Sequence, residues 1–211
     1  MRSAPGLTLL HTSSVHVPVF DALRDRHHPG AVLRHLVAPE LLERARERGP
    51  ASQAPAVREL LAGSGGPVLV TCSSIGAVAE SLGPELGVPV LRVDRPLAAA
   101  AVRTGERILV LATVESTLAP TAELLAQEAG RAGRPVSVRT RLVDGAWDRF
   151  AAGDPAGCLR LVADAADAVT AADADVIVLA QVSMAGAQDL ATTAVPVLSS
   201  PATGLAAALG Q

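Results

Sequence analysis

The stretch PVLVTCSSIG, Pro67–Gly76, sets the reading of the whole chain. An apolar, β-branched run ends at a lone cysteine, two serines follow at once, and an Ala-containing segment of helical spacing begins. The run reads as a buried strand, and the serines as the cap of a helix beginning near Ile75. The same grammar recurs along the chain. Strand candidates are Leu7–Thr12, Val32–Val37, Pro67–Cys72 and Val88–Asp94, then Arg107–Thr113, Val136–Val143, Asp175–Gln181 and Val195–Ser200. Helical segments include PELLERARERG, APAVRELLAG and RPLAAAAVRTG, whereas the stretch from Thr12 to about Gly30 reads only as polar. Strands alternating with helices favour parallel sheets with right-handed crossovers.

The two sets of strands resemble each other in order and in detail. LTLLHT pairs with ILVLAT, VLVTCSS with IVLAQVS, and VPVLRVDRPLAAAA with VPVLSSPATGLAAA, so Gln181 stands opposite Cys72. The expected fold is α/β: two similar, pseudo-symmetric lobes, each a parallel four-stranded sheet flanked by helices, with an active-site cleft between them. Residues 1–96 with 200–211 form the first expected lobe and 97–199 the second, the last helix packing back on the first lobe. Ligands of open parallel sheets bind beyond the carboxyl ends of the strands. Thr12, Ser13, Cys72, Ser73, Ser74, Thr113, Ser116, Thr117, Gln181 and Ser183 all fall there. That set is rich in hydroxyls and lacks Asp, Glu and Lys, which with helix N-terminal amides suits a carboxylate.

Composition narrows the function further. The chain has 211 residues, 49% hydrophobic and 18% charged, enough for a substantial core and unlike a disordered chain. With one Trp, two Phe and no Tyr the core must be aliphatic, and no stacking platform for single-stranded nucleic acid is available. A net charge of −3 gives no footprint for nucleic acid or an anionic membrane. The Arg44–Arg48 piece alternates Arg with Glu or Ala and reads as a solvated helix face. The apolar run near the start is too short for a signal peptide, and no stretch approaches a membrane span. Two cysteines in unlike contexts argue against a disulfide framework, so a reduced, cytoplasmic protein is expected.

Cys72 has two readings. Free cysteine often behaves as a small buried hydrophobe, yet a thiol at a strand's carboxyl end beside a helix N-terminus lies where a thiolate is favoured. Position favours the reactive reading, while Cys158, on an amphipathic segment, reads as packing. Thr113, Ser116 and Thr117 double as turn and cap residues, and Ser199–Ser200 before Pro201 as an ordinary helix entry. His27 and His28 are expected in a solvated loop. His11 ends the first strand, where it either donates a hydrogen bond to a ligand or is a structural core residue. No histidine pair has metal-site spacing, and no phosphate loop, dinucleotide fingerprint or nucleophile elbow is present.

Taken together, VTCSSIG, GERILVLATVESTLAPT and ADVIVLAQVSMAG, supported by VPVLRVD and VPVLSSP, resemble the aspartate/glutamate/hydantoin racemase superfamily over almost the whole chain. The resemblance implies a cofactor-independent enzyme, a homodimer, acting next to the carboxylate of a small acid; charge and spacing add the expectation of no nucleic-acid or membrane partner and no metal. It makes Cys72 the first-lobe catalytic cysteine, with Ser73 and Ser74 as oxyanion donors and Thr113, Ser116 and Thr117 as carboxylate-binding hydroxyls. The sequence departs from the family pattern at the second cysteine, where Leu179-Ala180-Gln181 stands. Glutamine cannot ionise, so a symmetric two-thiol racemisation is not expected. A one-base isomerase with water or His11 as proton source, a decarboxylase of a malonate-like acid, a cis–trans isomerase of the maleate isomerase kind and a non-catalytic carboxylate-binding protein all stay open.

Overall fold

The structure, a computed structural model, describes residues 6–210; residues 1–5 and 211, the outer ends of the expected first lobe, lie outside the described residues. In chain order the elements are β1 (Leu7–His11), α1 (His16–His27), β2 (Leu33–Val37), α2 (Glu40–Arg48), a 3-10 turn (Pro50–Gln53), α3 (Ala54–Leu61), β3 (Val68–Val70), α4 (Ser73–Ser81), α5 (Gly83–Leu86) and β4 (Val90–Arg92). They continue with α6 (Arg95–Thr104), β5 (Arg107–Ala112), a 3-10 turn (Glu115–Thr117), α7 (Leu118–Ala132), β6 (Ser137–Leu142), α8 (Ala146–Ala151) and α9 (Pro155–Asp167). The last are β7 (Val176–Leu179), a 3-10 turn (Val182–Ala187), β8 (Val197–Leu198) and α10 (Pro201–Ala208).

The strands form two parallel four-stranded sheets, ordered β2-β1-β3-β4 and β6-β5-β7-β8. The second sheet repeats the first strand for strand, so β3 and β7 occupy the same place, as do β1 and β5. The segment after β1 differs from the sequence reading, and strands such as β3 and β8 are shorter than their candidates. The segment before Gly30, read only as polar, contains helix α1, and His27 is its exposed last residue, not a loop residue. The helix is hard to see because it buries only Phe20 and mixes histidine, arginine and aspartate with its apolar residues.

The described chain divides into two compact units, one running up to Val93 and resuming at Pro201, the other spanning Asp94–Ser200. The changeovers thus fall at 93/94 and 200/201, and not at 96/97 and 199/200, because α6 already belongs with α7 and β7 while α10 packs with α1, β3 and β4. Each sheet is therefore completed by a helix that follows the other sheet in sequence.

Within each strand the side chains alternate between faces, as the pleat requires. In the second unit Leu109, Leu111, Ile177 and Leu179 pack with the α9 residues Cys158, Val162 and Ala163. Ile108, Val110, Val176 and Val178 pack on the opposite side with α6 and α7 through Leu97, Ala101, Leu124 and Leu125. In the first unit Leu10, Val68, Val70 and Cys72 pack against Leu41, Val57, Leu61 and Ile75 of α2, α3 and α4. No helix among the described residues is long and apolar enough to cross a membrane.

Gly204 is what lets α10 seat on the first unit. A β-carbon there would lie 2.6 Å from the Val93 carbonyl oxygen and 2.7 Å from its side chain. Backbone cannot yield as a flexible side-chain tip can, so Gly204→Val should destabilise the protein by roughly 1–3 kcal/mol, the usual cost of overpacking. A urea midpoint measured beside the parent reads it directly; an unchanged midpoint would mean that α10 is not held by this contact.

Candidate functional site

The residue that decides the chemistry of the first unit is placed by the end of β3. Two residues after Val70 the backbone of Cys72 is still extended, at φ −119° and ψ 117°, and α4 then starts at Ser73. Cys72 is thus the capping residue itself, and Ser73 and Ser74 are the first two residues of the helix and not its cap. Their amides are among the helix N–H groups that have no intrahelical acceptor, so the positive end of the α4 dipole lies beside the thiol. Cys72 is 8% exposed, among apolar neighbours on one side of β3. Ser73 and Thr12 are buried as well, while Ser13 and Ser74 are half-buried. Cys158, by contrast, lies in the α9 core, where burial and the nearby Asp154 charge push its thiol up from 9.0. Neither cysteine is in a disulfide.

Gln181 stands at the corresponding place in the second unit. It follows Leu179 by two residues and precedes a 3-10 turn, with the same extended backbone, φ −129° and ψ 143°. Its side chain folds onto the end of β5: Thr113 donates both its backbone N–H, at 2.7 Å, and its hydroxyl, at 3.0 Å, to Gln181 Oε1. The structure therefore gives both Thr113 donors a partner inside the protein. Thr117 is buried and donates its hydroxyl to the Val114 carbonyl at 2.5 Å; Ser116 is exposed and Ser183 half-buried.

Two features escaped the sequence reading. Arg92, at the end of β4, is only 2% exposed and lies against Gly76 in the first turn of α4, where a β-carbon would stand 2.9 Å from the arginine Nε. A charged residue closing an otherwise apolar VPVL run was the available signal. The other is a chain of polar groups on the face of the first sheet opposite Cys72. His11 Nδ1 is hydrogen-bonded to Thr71 Oγ1 at 2.8 Å, and His11 Nε2 to His35 Nδ1 at 2.8 Å. His35 Nε2 lies 3.4 Å from Asp21, and His16 Nδ1 lies 3.4 Å from Thr71 Oγ1. His11 is fully buried, stacked on His35 and packed against Phe20, with both ring nitrogens engaged. The described residues contain no group of three or more His, Cys, Asp or Glu that could hold a metal.

A family model for Asp/Glu/Hydantoin racemase matches residues 12–208. The chain belongs to that family. No protein of curated function matches this family member in sequence. Among solved structures it is similar to an Asp/Glu racemase homologue from Yersinia pestis, with a TM-score of 0.65 at 13% identity, over 97% of this chain and 98% of that one. An allantoin racemase from Pseudomonas fluorescens superposes with a TM-score of 0.62 at 19% identity, covering 97% and 89% of the two chains. Arylmalonate decarboxylase gives a TM-score of 0.56 at 18% identity, over 98% and 92%. At these identities the likeness is one of fold, and it spans racemases and a decarboxylase alike.

The histidine chain predicts a pH dependence of stability. Burial first, then the neighbouring His16 and His35, lower His11 from 6.5 to about 3, and burial lowers His16 from 6.5 to about 4. Between those values and 6.5 the unfolded chain binds more protons, so this stabilisation is complete above about 6.5 and is lost as pH falls. The surface aspartates Asp154, Asp167, Asp173 and Asp175 are held low by hydrogen bonds, so they weaken the fold only below about 4. A urea midpoint that declines steadily from pH 7 to pH 5 is expected; a flat one would contradict a neutral His11 and His16 in the fold.

Proposed function

We propose that this chain is a cofactor-independent enzyme of racemase type that acts at the carbon next to the carboxylate of a small acid through a single cysteine, Cys72. The observation that carries the reading is the setting of that thiol: it caps α4 at the carboxyl end of β3, with Ser73 and Ser74 in the first helical turn. A thiolate there would take the α-proton of the acid and become a thiol. The electron pair left behind would delocalise into the carboxylate, and the α4 amides and serine hydroxyls would stabilise the added charge as it forms. Delivering a proton from water to the other face would complete an isomerisation, the Cys72 thiol then giving its proton to the hydroxide left behind; return from the thiol itself would only regenerate the starting stereoisomer. Thr12 and Ser13, at the carboxyl edge of the first sheet, would hold the acid, and Ser116 and Ser183 are the corresponding candidates in the second unit; the Thr117 hydroxyl is already given to the Val114 carbonyl.

A second reading is favoured by Gln181, which occupies in the second sheet the place Cys72 holds in the first and has no ionisable proton. A single thiol suffices for decarboxylation of a malonate-like acid. The C–C bond breaks, its electron pair passes to an enediolate, carbon dioxide leaves, and the Cys72 thiol protonates the α-carbon; solvent then reprotonates the thiolate. A protein that binds the acid without turnover is the third reading. His11 serves none of the three as a ligand-facing proton donor, since both its nitrogens have internal partners. Two unpaired cysteines fit a reducing cytoplasm, and the working form is taken to be a homodimer.

Deuterium uptake at the α-carbon and carbon dioxide release, measured over a panel of small mono- and dicarboxylic acids in heavy water, separate these readings. Cys72→Ala should lower whichever activity is found by about 10²-fold or more, the usual worth of a positioned acid–base group. Turnover unchanged in Cys72→Ala would remove the thiol from the reaction, and a panel bound without turnover would leave the binding protein.

A further inference from the structure

The hydrogen bonds around Gln181 fix more than its position. A backbone N–H is a donor in every protonation state, so the Gln181 atom facing the Thr113 amide at 2.7 Å must be the carbonyl oxygen. The Thr113 hydroxyl reaches the same oxygen at 3.0 Å, so both lone-pair directions are occupied. The amide group cannot flip without setting an NH2 against that N–H. Gln181 Nε2 makes no hydrogen bond among the described residues, and it is not among their buried, unpartnered side-chain atoms. The side chain is half-buried, at the carboxyl end of β7, where ligands of parallel sheets bind. A glutamine free to rotate can meet a donor or an acceptor; this one presents donors only.

We infer that Gln181 is a specificity-determining residue, locked by Thr113, that receives an oxygen acceptor of the ligand and rejects an ammonium or other N–H at that point. Resting on the reading of the chain as a protein for small acids, this names the substrate class: an acid with a second oxygen acceptor, a dicarboxylate or oxo acid, in preference to an α-amino acid. An ammonium placed there would meet two N–H donors and lose its own hydrogen bonds, a penalty that discriminates far more sharply than a missing apolar contact. Thr113 is then a positioning residue, acting on the ligand only through the amide it holds.

Malonate and glycine make a matched pair of probes, a carboxylate in one standing where the ammonium stands in the other. Calorimetric titration of the full chain should show malonate binding about ten-fold or more tighter than glycine. Gln181→Glu keeps an oxygen for Thr113 and turns the outward group from donor to acceptor, so it should abolish that preference. The comparison is repeated in about 0.5 M salt, where through-space repulsion is largely screened. Thr113→Val should weaken malonate several-fold and Thr113→Ser should restore it, with circular dichroism reporting that each variant is folded. Malonate bound equally by the parent and Gln181→Glu, or glycine bound as tightly as malonate by the parent, overturns the inference and leaves the acid-binding enzyme standing. Failure of the parent to bind any mono- or dicarboxylate overturns both.

Discussion

Parallel pairing requires every strand of a sheet to end on the same edge, and this chain places its chemistry accordingly. The register of β1 with β2 and β3, and of β3 with β4, brings Thr12, Thr71, Cys72 and Arg92 to one edge of the first sheet. The register of β5 with β6 and β7 brings Thr113 and Gln181 to the same edge of the second. Because the next element must start at that edge, the thiol and the glutamine are each delivered to the entry of a helix or turn in extended conformation. The alternation continues in the two residues after β3: Cys72 turns toward α4, and Thr71, one residue earlier, turns toward the histidines.

That constraint explains why the architecture was legible in the sequence. Runs such as VLV, ILVLA and VIVL are buried on both faces of parallel sheets, so they appear as unbroken apolar stretches. Their repetition in one order foreshadowed two sheets of identical topology, and it matches Cys72 with Gln181 from the sequence alone. Helix α1 was not legible because its stripe is thin, and the start of α4 was displaced because Cys72, a residue without strong capping preference, occupies the cap.

Long-range side-chain pairs were beyond the reach of the sequence. His11 meets Thr71 across 60 residues and His35 across 24, and Thr113 meets Gln181 across 68. No local pattern encodes such meetings; they follow from strand order and from which face each residue takes. They also reassign roles. His11 passes from a ligand-facing candidate to the centre of a buried polar chain, and the donors of Thr113 turn from the ligand to the amide of Gln181.

The account depends most on Cys72 being a reactive thiol at the helix entry and not a small hydrophobe in the core behind it. Cys158 is an internal standard, since it is buried in α9 and its thiol is pushed up. The direct measurement is the rate of iodoacetamide alkylation at each cysteine between pH 6 and 9, read by mass spectrometry of the native protein, with and without malonate. The account predicts that Cys72 reacts much faster than Cys158 near neutral pH and that malonate protects it. Equal, slow labelling of both cysteines, indifferent to the acid, would contradict it.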